Sequence, residues 1–193
     1  MILLECKDIT KFFPGVTALN HVSISFNRAE IHALVGENGA GKSTLMNILV
    51  GIIQKDSGQI YYMGHLFNAH DPKHALEMGI GIIHQELNMM DHLTVAQNIF
   101  IGREFTKMGG ILLDKREQNK RAEELFTRLK MNIDPTEQVG RLTVAKQQMV
   151  EIAKAVSHRL RILILDEPTA ALTDTEIAEL FTIMRDLKSQ GVG

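Results

Sequence analysis

The chain contains no tryptophan and one cysteine, Cys6, in 193 residues. A single thiol excludes an internal disulfide and fits a reducing compartment. No run of about 18 apolar residues occurs, so no segment is expected to cross a bilayer as a helix. The opening residues lack a basic stretch followed by an apolar core, so no secretory signal is expected and the reading is of a cytosolic chain. Neither sign of charge dominates: 21 Lys and Arg against 23 Asp and Glu leave a formal net charge of −2. That balance gives no electrostatic footprint for nucleic acid. The 4 prolines are scattered with the glycines as punctuation, with no interdomain linker, internal repeat or low-complexity stretch. Methionine, at 10, is abundant, and composition does not decide whether it fills the core or serves an adaptable surface. The length suits one substantial α/β domain with room for a subdomain.

What the chain does have is Gly36-Glu37-Asn38-Gly39-Ala40-Gly41-Lys42-Ser43, followed by Thr44, which fits the phosphate-loop pattern G-x-x-x-x-G-K-[ST] at every fixed position. Ile31–Val35 before it is a β-prone run, and Lys42–Val50 after it reads as a helix closed by Gly51. Glycines let backbone N–H groups approach phosphate oxygens without a Cβ in the way, and the helix N-terminus adds partial positive charge. Lys42 is then expected to reach the β- and γ-phosphates of a nucleotide and the Ser43 hydroxyl to coordinate Mg²⁺.

Around this loop the chain opens with strands. Leu3–Ile9 is one; Val22–Phe26 alternates strictly, as in a sheet with one wet face. Lys11-Phe12-Phe13-Pro14-Gly15 between them reads as a turn led by two aromatics. Gln59–Met63 reads as a strand ended by Gly64, Pro72 as the start of a short helix ended by Gly79, and Ile80–His84 as a strand. From about Leu87 to His158 the pattern is helical. Ala122, Leu125, Phe126 and Leu129 give Asp114–Met131 an apolar stripe, and its many charges read as a solvated face. Met149, Ile152, Ala153 and Val156 do the same for Thr143–Val156. The unbroken Ile162–Leu165 reads as a strand buried on both faces. Thr173-Asp174-Thr175-Glu176 is a capping box for a last helix with Ile177, Leu180, Phe181, Met184 and Leu187 as its stripe.

Asp166 and Glu167 follow the buried strand, at the end where open α/β sheets place their ligands. Asp166 suits Mg²⁺ held through its water shell, and Glu167 suits a general base or water-orienting group.

Taken in order, Gly36–Thr44, Gln85, the Leu142 segment and Ile162–Thr169 resemble the ATPase subunits of ABC transporters. Lys11–Gly15, Gly79–Glu86, Asn98–Arg103 and Lys146–Lys154 resemble, more narrowly, the first of two tandem ATPase halves in bacterial monosaccharide importers. The resemblance covers essentially the whole chain. It implies a P-loop NTPase core with a mainly parallel sheet and flanking helices, an N-terminal antiparallel β-subdomain and an inserted α-helical subdomain. The expected division is residues 1–86 and 159–193 for the core and 87–158 for the helical part of one nucleotide-binding domain. It further implies ATP and Mg²⁺ as cofactors, with Gly36, Glu37, Asn38, Gly39, Ala40, Gly41, Lys42, Ser43 and Thr44 around the phosphates. Ser43, Gln85 and Asp166 are the implied metal contacts, and Glu167, Gln85 and Lys42 the catalytic set. Phe13, with Phe12 the alternative, is the implied stacking partner of the adenine. The implied partners are a second ATPase domain, transmembrane permease subunits and, indirectly, a periplasmic or extracellular sugar-binding protein. The implied location is cytoplasmic, peripheral on the inner face of the membrane, with no nucleic-acid partner.

Two departures qualify this picture. The family signature Leu-Ser-Gly-Gly-Gln falls on Leu142-Thr143-Val144-Ala145-Lys146, so both glycines that allow close backbone approach to a γ-phosphate in the opposite site are replaced. The importer subgroup tolerates this in its first half, where the second half supplies the intact signature. The switch histidine of the family would follow the helix ending at Gln190, and the chain stops at Gly193, so the expectation is a fragment. None of the eight histidines replaces it: His84 alternates away from Gln85, and His158 reads as a dipole-compensating or surface residue near a helix end. His70 and His74 have ligand spacing, but Pro72 between them and the lack of a third ligand argue against zinc. The alternatives are an ABC-type ATPase acting on nucleic acid or ribosomes, and a nucleotide-binding module that does not hydrolyse.

Overall fold

The computed structural model describes residues 1–84, 88–107, 112–169 and 172–193. By internal packing the chain divides into two units: Met1–Ile82 with Leu160–Asp166 and Met184–Gly193, and Ile83–Arg159 with Glu167–Ile183.

The first unit begins with a long hairpin, β1 (Ile2–Phe13) and β2 (Val16–Asn27), continued by β3 (Ser57–Tyr62) and β4 (His65–Phe67) into a four-stranded antiparallel sheet of order β2-β1-β3-β4. Along β2 the expected alternation holds: Val22, Ile24 and Phe26 are half-buried and Ser23 and Ser25 exposed. The aromatic pair is a correction, because Phe12 and Phe13 are still strand, opposite Thr17 and Val16, and only Pro14-Gly15 turn. Leu4, Cys6, Ile9 and Ile60 of this sheet share one core with Leu45, Ile48 and Leu49 of α1 (Lys42–Leu49), and with Ile80 and Ile162. Each fully buried aliphatic side chain of this kind contributes about 1.5–3 kcal/mol, which holds α1 and the loop before it against the sheet.

A second, two-stranded sheet pairs β5 (Ile80–Ile83) with β8 (Ile162–Leu165). Ile162 N–H donates to Gly79 O, whereas the Leu163 N–H and the Arg161 carbonyl bond Gly193. Both sides of β8 are thereby engaged away from Ile31–Val35. Lacking a ladder partner, that run is not a strand, contrary to its sequence pattern; Val35 is 89% exposed and only Leu34 packs on the core. The expectation that Ile162–Leu165 is buried on both faces also fails, since only Ile162 is buried. Between β4 and β5, α2 (Pro72–Glu77) starts with Asp71 accepting from His74 N–H at 2.8 Å.

The second unit is mainly helical: α3 (Val95–Ile99), α4 (Lys115–Leu129) and α5 (Val144–Val156), with a 3-10 turn at Val139–Arg141. Each helix has a side-chain cap. Thr94 and Gln97 form a capping box on α3, Asp114 accepts from Glu117 N–H on α4, and Thr143 accepts from Lys146 N–H on α5. The anticipated stripes are buried on α4 (Ala122, Leu125, Phe126, Leu129) and α5 (Met149, Ile152, Ala153, Val156). The charges of α4 pair with one another on the solvated side, as Arg121 does with Glu117 and Glu124. A short antiparallel pair, β6 (Thr106–Lys107) with β7 (Leu112–Leu113), is an element the sequence pattern did not announce. The last helix, α6 (Asp174–Ser189), has its capping box, with Thr173 N–H donating to the Glu176 carboxylate at 2.8 Å. Its stripe is shifted from the expected one: Ile183 is buried with Leu180 and Leu187, and Phe181 is 41% exposed.

Candidate functional site

The phosphate-loop pattern lies between the irregular Ile31–Val35 run and α1, in the first unit. Ala40 N–H closes a turn on Glu37 O at 3.1 Å, and Gly39 and Gly41 take φ of 83° and 88°, which glycine adopts without strain. At Gly41 space is also short: a Cβ there would overlap the Ala18 carbonyl oxygen and stand 2.8 Å from Leu19 Cδ2. This is how the loop end seats on β2.

Gly41 is also the N-cap of α1, which has no side-chain cap and no acidic residue in its first turn. The first intrahelical bond runs from Leu45 N–H to Gly41 O, so the Lys42, Ser43 and Thr44 amides have no acceptor within the helix. All the other α-helix starts described above carry a Thr or Asp cap; this one presents bare donors. The Lys42 ammonium turns back into the loop, donating to Gly36 O at 2.6 Å and Glu37 O at 2.9 Å. Glycine-freed amides, an uncapped helix N-terminus and an ammonium on the inner side of the loop together suit an anion with several oxygens. Ser43 is exposed beside them.

Asp166 directly follows β8 in the same unit and is half-buried. Glu167, next in the chain, packs with the second unit, is exposed and has φ 46°. Left-handed backbone at a non-glycine residue costs about 1–3 kcal/mol and marks a place where surrounding structure fixes the turn. One support is Gln148 on α5, whose side-chain amide donates to Pro168 O at 2.7 Å. Gln85 lies outside the described residues. Three positions later Asn88 N–H donates at 3.0 Å to Oε1 of Glu151, a carboxyl that is 8% exposed and pushed upward in pKa by burial. Neither Gln148 nor Glu151 stood out in the sequence, since both sit in an ordinary amphipathic helix.

Lys11 lies opposite Leu19 in the hairpin ladder, and Leu19 is the side chain packed against Gly41; the register shifts after Lys11, so that Phe12 lies opposite Thr17 and Phe13 opposite Val16. The Lys11 ammonium lies over the Phe13 ring, 5.5 Å from its centroid, and pairs with Asp56 at 2.9 Å. Lys11 and the Phe12 amide hold the Asp56 carboxyl below the usual range.

The altered signature segment forms the start of α5. Thr143 is its cap, Ala145 is 5% exposed and Val144 is 50% exposed. The methyl of Ala145 therefore packs inward, while the branched Val144 side chain faces out where the family has glycine. His158 is not a dipole-compensating cation, a correction to the sequence reading. Burial, with Arg103 and Lys154 nearby, pulls its pKa down to about 4, so it is neutral at pH 7. Arg103 does that work instead, donating to Ser157 Oγ at 2.7 Å and to Ile99 O at 3.2 Å. His70 and His74 stack at 4.9 Å, and His74 Nδ1 accepts the His70 backbone N–H at 3.4 Å.

Residues 19–170 match the ABC transporter family. The chain is 56% identical, over 99% of its own length, to a ribose/galactose/methyl galactoside import ATP-binding protein of Burkholderia ambifaria, and 54% identical over the same share to one of Albidiferax ferrireducens. It covers 37% and 38% of those proteins, so it spans little more than a third of the length of the curated relatives it matches. Among solved structures it is similar, with TM-score 0.87 and 26% identity, to the ADP conformation of an ATP-binding cassette of an ABC transporter, covering 100% of this chain and 79% of that one. A nucleotide-free ATP-binding cassette from an ABC transporter gives TM-score 0.85 at 24% identity, with the same coverage. The phosphate loop with its uncapped helix, the fold and the match across most of the sequence agree: this chain belongs to the ABC transporter family.

Proposed function

We propose that this chain is the ATP-binding, energy-coupling part of an importer for a monosaccharide. The observation that carries the reading is the Lys42 ammonium held on the inner side of a glycine loop, at the one described α-helix start left without a side-chain cap. The Lys42, Ser43 and Thr44 amides bind the phosphates, Lys42 neutralises β- and γ-phosphate charge, and Phe13 stacks on the adenine. Ser43 and Asp166 offer the hard oxygen donors that Mg²⁺ takes, and Gln85 adds a third; the ion would spread phosphate charge during transfer. Glu167 accepts the proton of the attacking water or orients it, and Gln85 relays nucleotide state to the partners.

With Val144 outward and Ala145 packed inward in place of glycines, this chain does not serve the opposite site, and a second ATPase domain supplies the intact signature. Residues 87–158 transmit closure to transmembrane permease subunits, which receive the sugar from a periplasmic or extracellular binding protein. The chain works in the cytoplasm against the inner face of the membrane; among the described residues no helix is long and apolar enough to cross it. The names of the similar import proteins support the sugar class, and the near-balanced charge supports a partner other than nucleic acid. Substituting Glu167→Gln in the assembled transporter and measuring phosphate release tests the chemistry: turnover falls at least 100-fold, and unimpaired turnover rules Glu167 out as the base.

A further inference from the structure

The hairpin ladder is irregular between Lys11 and Phe12, where the register with β2 shifts. At that interruption the Phe12 amide is satisfied by Asp56 Oδ2, at 2.6 Å, in place of a strand carbonyl. The other Asp56 oxygen takes the Lys11 ammonium at 2.9 Å, and the Asp56 backbone N–H bonds Thr10 O at 3.0 Å. Lys11 reaches this position with its side chain 15% exposed and lies over one face of Phe13. Three contacts from one residue thus fix residues 10–12, and the cation they hold fixes the ring that follows. With one ring face covered by Lys11, the opposite face is the one left for a planar ligand.

We propose that Asp56 and Lys11 are positioning residues for Phe13 that set the affinity of the site for the base of a nucleotide, independently of its phosphates. The inference rests on Phe13 being the stacking residue. Asp56 acts only through Lys11 and the Phe12 amide, so its removal frees the hairpin end and lets the ring rotate. Ordering the ring is then a cost of binding, which appears as lost affinity for nucleotides alone.

The test compares Mg·ATP with Mg·tripolyphosphate, which has the phosphates and no base, by calorimetric titration of the 193-residue chain and its variants. Asp56→Ala is expected to weaken ATP binding roughly fivefold and Lys11→Met about two- to threefold, on the scale of charged hydrogen bonds and cation–π contacts. Asp56→Asn, which keeps an acceptor for the Phe12 amide, falls between Asp56→Ala and the unaltered chain. Tripolyphosphate affinity stays the same in all three. Equal losses for both ligands would mean that Asp56 supports the fold at large, and would overturn the proposal. Unaltered ATP affinity in Asp56→Ala and Lys11→Met, with a loss in Phe13→Ala, would overturn it and leave the stacking reading standing. Unaltered affinity in Phe13→Ala would remove the stacking reading itself.

Discussion

Replacing Gly41 by alanine puts the seating of the phosphate loop on β2 to the test. A Cβ at this position overlaps the Ala18 carbonyl oxygen and stands 2.8 Å from Leu19 Cδ2, with φ at 88°. The left-handed backbone alone costs an L-residue about 1–2 kcal/mol. The Leu19 methyl can swing aside, but the Ala18 carbonyl belongs to a strand and cannot, so overpacking adds about 1–3 kcal/mol. The two together predict a loss of about 2–5 kcal/mol, or the loop lifts off β2 and carries Lys42 and the α1 amides with it. Gly39→Ala is the control: its φ is 83°, but nothing lies within 4 Å of the added Cβ, so only the conformational cost of about 1–2 kcal/mol applies. Urea unfolding gives the two midpoints, and Mg·ATP titration reports whether the loop keeps its form. Gly41→Ala that unfolds no earlier than Gly39→Ala and binds ATP as well would refute the packing argument.

Two further predictions concern the helical unit. Thr94→Ala removes the half of the capping box on α3 in which the Thr94 hydroxyl accepts from Gln97 N–H at 3.3 Å, keeps the backbone N–H that donates to Gln97 Oε1, and lowers stability by about 1 kcal/mol in urea unfolding. His158 has its folded pKa lowered from 6.5 to about 4, so the unfolded chain binds its proton first on acidification. The stability it contributes is present above pH 6.5 and is lost as pH falls from 6.5 towards 4. His158→Gln should flatten that fall; an unchanged slope of unfolding midpoint against pH would show that His158 is solvated in the folded chain.

The elements that could be read from sequence were those whose signal is local. The α4 and α5 stripes and the Thr173-Glu176 box depend on residues within a turn or two of one another, and the fold reproduces them. The phosphate loop was legible for the same reason, because its glycines, lysine and helix are contiguous. Ile31–Val35 was misread because a strand requires a partner, and pairing is a property of the rest of the sheet; β-prone residues without a ladder form no strand. The apolar run Ile162–Leu165 misled in the same way, since burial on two faces needs neighbours that periodicity does not supply. Asp56 reads in the sequence only as the start of a turn, Asp56-Ser57-Gly58: it lies 44 residues from the amide it accepts, and only the β1–β3 pairing brings them together. The likeness to known cassettes fixed the family.

The most direct test of the central claim is calorimetric titration of Mg·ATP into this chain and its Lys42→Ala variant, followed by steady-state phosphate release. Saturable one-site binding that drops at least tenfold in Lys42→Ala, on the scale of a lost charged hydrogen-bond pair, with negligible release by the chain alone, is the predicted result. Binding indifferent to Lys42 would contradict the phosphate-loop assignment. Brisk phosphate release by the isolated chain would contradict the need for a second domain with an intact signature.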